Sequence, residues 1–307
     1  DGIRGQIIRR SGQRFVWSRG EELMTEKFPE FDTLFDALPD GTVLDGEILA
    51  MRDGMPLPFS VLQTRIGRTR ISKKTLQEAP VGFMAFDLLE FEGEDWRQRP
   101  FDERRQQLKG ILSGLAPDCI RLSEGIDIES WDALATIRGK AREQGSEGLM
   151  LKRRASPYQA GRRRGDWWKW KTDPMTIDAV LVYAQKGHGR RSSLYTDYTF
   201  AVRDGERLVT FAKAYSGLTD KEFQAVDAFV KRNSLEKFGP VRTVKPELVF
   251  EIAFEGIMES RRHKSGIALR FPRMSRWRTD KKPEDANTLE DLRDMLRMHG
   301  TAREPEG

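Results

Sequence analysis

At 307 residues, with 38% apolar and 33% charged side chains and a net charge of +5, the chain reads as a soluble globular protein of about two domains, not a disordered one. No stretch approaches the ~18–20 uninterrupted apolar residues of a membrane span, and the opening Asp-Gly-Ile-Arg has neither a signal-peptide layout nor a starting Met. The single cysteine, Cys119, excludes an internal disulfide framework and a Cys-rich zinc site, pointing to a reducing, intracellular setting.

From the N-terminus to about residue 173, short strands alternate with helices. Residues 7–10 and 13–17 are split by Ser11-Gly12, a hairpin signature. Residues 43–51 alternate and then turn at Arg52-Asp53-Gly54, and 81–89 (VGFMAFDLL) are apolar enough for a central strand. Arg99-Pro100 leads into a helix over 101–112, with Asp102 and Glu103 in its first turn. A second helix is expected over 130–144, with Trp131, Leu134, Ile137 and Ala141 on one face and Gly145 as its stop. Residues 149–152 and 167–171 read as strands. Hairpins interleaved with helices predict an α+β domain with antiparallel sheets, not a βαβ series.

After Lys171-Thr172-Asp173-Pro174 the character changes. Residues 177–185, 198–202, 208–214 and 248–255 read as strands. One helix over 220–233, capped by Thr219, lies between the third and fourth. Short strands with a single inserted helix predict a small closed barrel of the OB-fold type. The chain is therefore expected to divide into a first domain at 1–173, a barrel at 174–285, and a C-terminal helix and tail at 286–307, frayed from His299 onward.

Basic residues bunch at Arg68/Arg70/Lys73/Lys74, at 162–164, at Arg190/Arg191 and at Arg261/Arg262/Lys264. Such clusters suit a polyanion, because each cation that neutralises a phosphate releases condensed counterions. In a chain one-third charged, such runs are usually just a solvated surface.

Several short patterns carry chemistry. Asp1-Gly2-Ile3-Arg4 sets a tight-turn pair before an arginine, and Ser18-Arg19-Gly20 places an arginine at a strand end. Asp45-Gly46-Glu47 puts two acids ahead of Ile48-Leu49-Ala50. Phe86-Asp87 lies inside the central strand, where periodicity alone makes Phe86 a core residue. Glu147-Gly148-Leu149-Met150-Leu151-Lys152 follows a helix stop and enters a strand. Glu147 is a natural Mg²⁺ ligand, since that ion prefers carboxylates together with phosphate oxygens. Ser156-Pro157-Tyr158 runs on through Arg163 to Trp167-Trp168-Lys169-Trp170-Lys171. In an extended strand Lys169 and Lys171 point to the same side. Two ammonium groups on one face, with tryptophan bodies on the other, supply the charge an α-phosphate needs in a partly dry cleft. Arg270-Phe271-Pro272-Arg273 and Arg276-Trp277-Arg278-Thr279-Asp280-Lys281 close the series. Each pattern alone also fits an ordinary turn, core residue or surface charge.

In this order and at these intervals, the patterns resemble the nucleotidyltransferase superfamily of ATP-dependent DNA ligases, RNA ligases and mRNA capping enzymes. Within it they are most similar to bacterial ATP-dependent DNA ligases of the multi-domain type, from Asp1 to about Leu292. The resemblance implies an adenylation (nucleotidyltransferase) domain of antiparallel sheets and helices followed by an OB-fold barrel. It implies ATP and Mg²⁺ as cofactors and nicked double-stranded DNA as partner. Arg4, Arg19, Glu47, Phe86, Arg163, Lys169 and Lys171 would then contact the nucleotide, Phe86 by stacking on adenine. Lys169 and Lys171 would be catalytic at the α-phosphate, and Glu47 and Glu147 would hold the metal. Arg278, Asp280 and Lys281 would close over ATP and orient the leaving pyrophosphate.

The family's first motif, Lys-x-Asp-Gly-x-Arg, places its nucleophilic lysine two residues before Asp1. A catalytic-core fragment that does not self-adenylylate is therefore expected, with an N-terminal DNA-binding domain also missing. The expected protein is monomeric, cytoplasmic and nucleoid-associated, with no membrane contact. An RNA ligase or capping-type nucleotidyltransferase, and a non-catalytic DNA-binding remnant, stay open as alternatives.

Overall fold

The computed structural model describes residues 2–115, 118–161, 163–189 and 192–301. Asp1, Arg162 and the Arg190/Arg191 pair, all singled out in the sequence, lie outside the described residues. The chain forms two compact units, Asp1–Thr172 and Asp173–Glu306. Among the described residues, no helix is long and apolar enough to cross a membrane.

The first unit is organised by strand alternation. Strands β1 (Ile3–Arg10) and β2 (Gln13–Ser18) form a hairpin that turns at Ser11 and Gly12, with φ of 52° and 69°. That left-handed pair is what a two-residue I′ turn requires, and the Asp40 carboxylate accepts from both turn amides, at 3.0 and 2.9 Å. After α1 (Asp32–Ala37), β3 (Thr42–Arg52) pairs antiparallel with β1 and carries the two-residue β4 (Met55–Pro56). Helices α2 (Phe59–Ile66) and α3 (Lys73–Glu78) precede β5 (Val81–Phe91), which lies antiparallel to β3. The short β6 (Glu94–Asp95) and, beyond α4 (Phe101–Ser113), the parallel β7 (Ile120–Leu122) complete the sheet. Ile7, Leu44, Ile48, Phe83 and Leu88 share one side and pack on Phe31, Leu34, Phe35 and Leu108, all at most 1% exposed. Each such side chain contributes roughly 1.5–3 kcal/mol by leaving water. Because side chains alternate, burial of Leu44 and Ile48 turns Asp45 and Glu47 to the opposite face.

Helix α5 (Trp131–Gly139) is shorter than the 130–144 expected, and a 3₁₀ turn at Ala141–Gln144 carries the chain to Gly145. Gly139 is a poor residue for a helix interior, so the regular helix stops there. Its expected apolar face is incomplete as well: Leu134 and Ala141 are buried, but Trp131 is 69% exposed and meets Trp170 edge-on at 6.2 Å. Strands β8 (Gly148–Lys152) and β9 (Trp167–Lys171) then form a separate antiparallel pair.

In the second unit β10 (Met175–Lys186) is central. Strand β11 (Tyr195–Asp204) lies along one edge and continues to β12 (Arg207–Ala214). The other edge is shared by β15 (Val249–Phe254) and then β14 (Val241–Val244), which carries β13 (Ser234–Phe238). One long strand serving two partners is how a small OB-type barrel turns its corner. Helix α6 (Asp220–Asn233) begins with a Thr219/Glu222 capping box and buries Phe223, Val226 and Val230 among Tyr198, Phe200, Phe250 and Ile252. Strand β18 (Arg273–Trp277) pairs with β15, while β16 (Gly256–Glu259) and β17 (Ile267–Arg270) make a hairpin. The sequence pattern did not resolve β13, β14 or β16–β18, which are too short to show a period. Helix α7 (Leu289–His299) drives Leu289 and Leu292 into this unit's core. Beyond His299 the chain is not simply frayed, since β19 (Gly300–Thr301) pairs parallel with β16.

Candidate active site

The first unit contains a cleft of about 1300 Å³ between the start of β1, the end of β2, Glu47 of β3, Phe86 of β5 and the β8–β9 pair. Arg4 stands opposite Glu47 in the β1–β3 register. Its guanidinium forks onto Asp45, Nε to Oδ1 at 3.3 Å and Nη2 to Oδ2 at 2.7 Å, and Nη2 also reaches the Tyr158 hydroxyl at 3.2 Å. Tyr158 donates in turn to Asp45 Oδ2 at 2.8 Å. Asp45 is 1% exposed, so a buried carboxylate fixes the arginine's direction. Burial works against the charged Arg4, but the hydrogen bond and charge of Asp45 outweigh it and hold its pKa above the ordinary range. Burial, reinforced by the Asp45 charge, pushes the Tyr158 phenol up to about 12.

Glu47 reaches the cleft because Gly46, beside it, lets β3 and β5 approach: a Cβ there would sit 2.4 Å from the Phe83 ring. Burial lifts the Glu47 pKa, against the opposing charges of Lys169 and Arg4. Phe86 is half-buried and lines the cleft, so it is not the core residue that periodicity suggests. Next to it, Asp87 is fully buried and holds Arg104 of α4 by a fork of 2.7 and 2.9 Å, while Arg104 Nη1 donates to the Ser156 carbonyl at 3.0 Å.

On β9 alternation puts Trp167, Lys169 and Lys171 on one side and Trp168 and Trp170 on the other, so one tryptophan shares the lysine face. Trp167 and Lys169 line the cleft. Lys171 instead pairs with Glu147 at 3.4 Å where the hairpin meets its Gly148 bend. Gly148 has φ of 135°, and a Cβ there would strike the Trp170 carbonyl at 2.3 Å, so only glycine fits. Glu47 and Lys169 are thus close enough to interact, whereas Glu147 is committed to Lys171. Arg19 lines the cleft and also an adjoining depression of about 950 Å³, which Arg163 lines without reaching the cleft.

Arg278, Asp280 and Lys281 form a cluster of their own in the second unit. Arg278 forks onto Asp280, Nε to Oδ1 at 2.9 Å and Nη2 to Oδ2 at 2.8 Å. The Asp280 hydrogen bond raises Arg278 above its ordinary pKa, and Arg278 draws Asp280 well below the carboxylate range.

Sequence reasoning passed over Lys152. Its Nζ lies 4.0 Å from the Trp167 ring centre, 4.4 Å from Phe86 and 4.6 Å from Phe101. Burial lowers its pKa to about 8, against the pull of Asp87 and Asp45. The signal was available: Met150 and Lys152 alternate onto the face of β8 that fronts Lys169. Among the described residues, no three His, Cys, Asp or Glu side chains gather to hold a metal. A single half-buried carboxylate, Glu47, still fits Mg²⁺, which binds through one or two carboxylates plus substrate phosphates.

Residues 1–171 match the family model described as "ATP dependent DNA ligase domain", and residues 191–281 match "ATP dependent DNA ligase C terminal region". A probable DNA ligase of Koribacter versatilis is 39% identical over 318 residues, covering 97% of this chain and 55% of that protein. DNA ligase 1 of Korarchaeum cryptofilum is 34% identical over 300 residues, covering 96% and 54%. The solved structure "Pmar-Lig_PreS3" shares the fold with a TM-score of 0.69 at 21% identity, over 91% of this chain and 62% of that one. This chain spans about half the length of these curated relatives.

Proposed function

This chain belongs to the ATP-dependent DNA ligase family, and from that we propose that the protein seals nicks in duplex DNA through enzyme–AMP and DNA–adenylate intermediates. One observation carries the reading: an aromatic ring (Phe86), a half-buried acid (Glu47) and a cation (Lys169) line a single cleft. These are the groups a nucleoside triphosphate needs for its base, its metal and its α-phosphate.

The three transfers follow the family's logic. A lysine standing before Asp1 in the family motif takes AMP from ATP and expels pyrophosphate. AMP then passes to the 5′-phosphate at the nick, and the 3′-hydroxyl displaces it to join the strand. Lys169 offsets charge growing on the α-phosphoryl oxygens, with Lys171 beside it on the same strand face, and fixed positioning supplies most of the remaining acceleration. Arg4 is held rigid by Asp45 and Tyr158, so it can bind a phosphate or sugar oxygen without reorganising. Glu47, with Glu147 if its pairing to Lys171 opens, would hold Mg²⁺, which neutralises phosphate charge when bound. Arg19 and Arg163, facing the adjoining depression, are assigned to nucleotide or nick phosphates. Arg278, Asp280 and Lys281 are assigned to the first transfer alone, because only then do β- and γ-phosphates leave.

The test uses the full-length protein with ATP and Mg²⁺ on nicked DNA and on the same nick in RNA. Sealing of DNA with a trapped protein–AMP adduct is expected. Preference for RNA, or sealing without any adduct, would overturn the proposal.

A further inference from the structure

We infer that Asp178 is a positioning residue for the first transfer, holding Arg278 and Lys281 side by side as a cation pair for the departing pyrophosphate. The inference rests on the proposed role of those two cations toward pyrophosphate. Asp178 itself stands between the two segments matched to the family, 1–171 and 191–281.

Its placement follows from alternation on β10. Ile177 and Ala179 point into the barrel core, at 3% and 0% exposure, so Asp178 points outward. It is nevertheless 7% exposed, because the chain after β18 folds across it. The Asp178 amide donates to Asn287 Oδ1 at 2.9 Å, the Asn287 amide donates to the Asp178 carbonyl at 3.0 Å, and the Arg278 amide donates to the Val249 carbonyl at 2.9 Å. The main chain is therefore anchored on both sides before any side chain is considered.

The carboxylate is used in an uneven way. Oδ2 accepts from Arg278 Nη1 at 2.8 Å and from Lys281 Nζ at 2.7 Å, while Oδ1 is buried with no hydrogen-bond partner. Arginine–carboxylate pairs are frequently forked through both oxygens, as Asp280 is on this same guanidinium. Gathering two cations on one oxygen and leaving the other buried and unmet is costly, and the backbone anchoring does not need it. The arrangement does have a geometric consequence. It brings Arg278 Nη1 and Lys281 Nζ together at Asp178 Oδ2, so the two cations stand side by side, as they must to meet one departing pyrophosphate. Asp178 sits on a central strand, whereas Asp280 is 64% exposed on the connecting turn, so the fixed reference for both cations is Asp178.

The experiment uses full-length protein carrying Asp178→Asn, which keeps shape and removes charge. Three quantities are read: the KM for ATP in enzyme–AMP formation, the pyrophosphate concentration that half-reverses the adduct, and the sealing rate on a nick already carrying 5′-AMP. The first two should rise about tenfold, as for one misdirected charge-assisted hydrogen bond. The third should hold, since no pyrophosphate is present, and the melting temperature should stay near that of the parent. Unchanged ATP and pyrophosphate dependence in a folded variant overturns the inference, as does parallel loss of all three, which marks a structural strut. If Asp178→Asn does not fold, Asp178→Glu, which retains the charge but moves it by a methylene, is read by the same criteria. Lys281→Ala separates the two levels. If it loses adduct formation while Asp178→Asn does not, only this inference falls, and if it affects all steps equally, the first-transfer role falls with it.

Discussion

Arg104→Met should expose how the strand carrying Phe86, the proposed base-stacking ring, is held. Arg104 and Asp87 are both 0% exposed, joined by two hydrogen bonds of 2.7 and 2.9 Å, and Arg104 also serves the Ser156 carbonyl. Removing only the cation leaves a carboxylate buried without its counter-charge, which costs about 3–5 kcal/mol. Pairing Arg104→Met with Asp87→Leu removes both charges, so the double variant should lose only about 1–2 kcal/mol, mainly from carbonyls left without a donor. Urea titration followed by tryptophan fluorescence measures this, with the two units fitted as separate transitions. Enzyme–AMP formation should fall in Arg104→Met and partly return in the double variant, because Phe86 is the neighbour of Asp87. If the double variant loses as much stability as the two single variants added together, the pair is uncoupled and the reasoning fails.

Lys169→Ala should slow adduct formation roughly 10²–10³-fold while changing stability by less than about 0.5 kcal/mol; near-normal rates would return it to the status of a surface lysine. Lys171→Ala should cost less, because its ammonium is shared with Glu147, and a larger loss than Lys169→Ala would contradict that ranking. Glu47 has a raised pKa in the folded state, so its stabilising contribution is present below the unfolded carboxylate pKa and is lost as pH rises through the folded value. Glu47→Gln should therefore raise the melting temperature at neutral pH while removing Mg²⁺-dependent transfer, and a lower melting temperature would count against this. Lys152 titrates near 8 folded against 10.5 unfolded, so stability should fall as pH drops from 10.5 through 8, and Lys152→Met should flatten that part of the pH–stability curve.

Much of this protein was legible in local order. The Ser11-Gly12 turn, the apolar run of β5, the helix over Asp220–Asn233 and the alternation of β9 are each decided within a few residues. So were several residues that line the cleft, Arg4, Arg19, Glu47 and Lys169, each picked out within a short pattern. Strands of four or five residues, such as β14 and β16, have too few turns of their period to stand out, and only pairing reveals them.

What the sequence could not decide is which charge meets which. Arg4 is fixed by Asp45 and by Tyr158, 41 and 154 positions away. Asp178 collects Arg278 and Lys281 from 100 and 103 positions away. Lys171 faces Glu147 rather than the cleft, and Lys152 slips among Phe86, Phe101 and Trp167. Local periodicity states which side of a strand a residue faces, but the partner across the gap depends on sheet register and on segments returning from far along the chain. With a third of the residues charged, many pairings are chemically possible, and burial selects among them: an ion taken out of water must find its counter-ion there, so the tertiary fold alone assigns each pair.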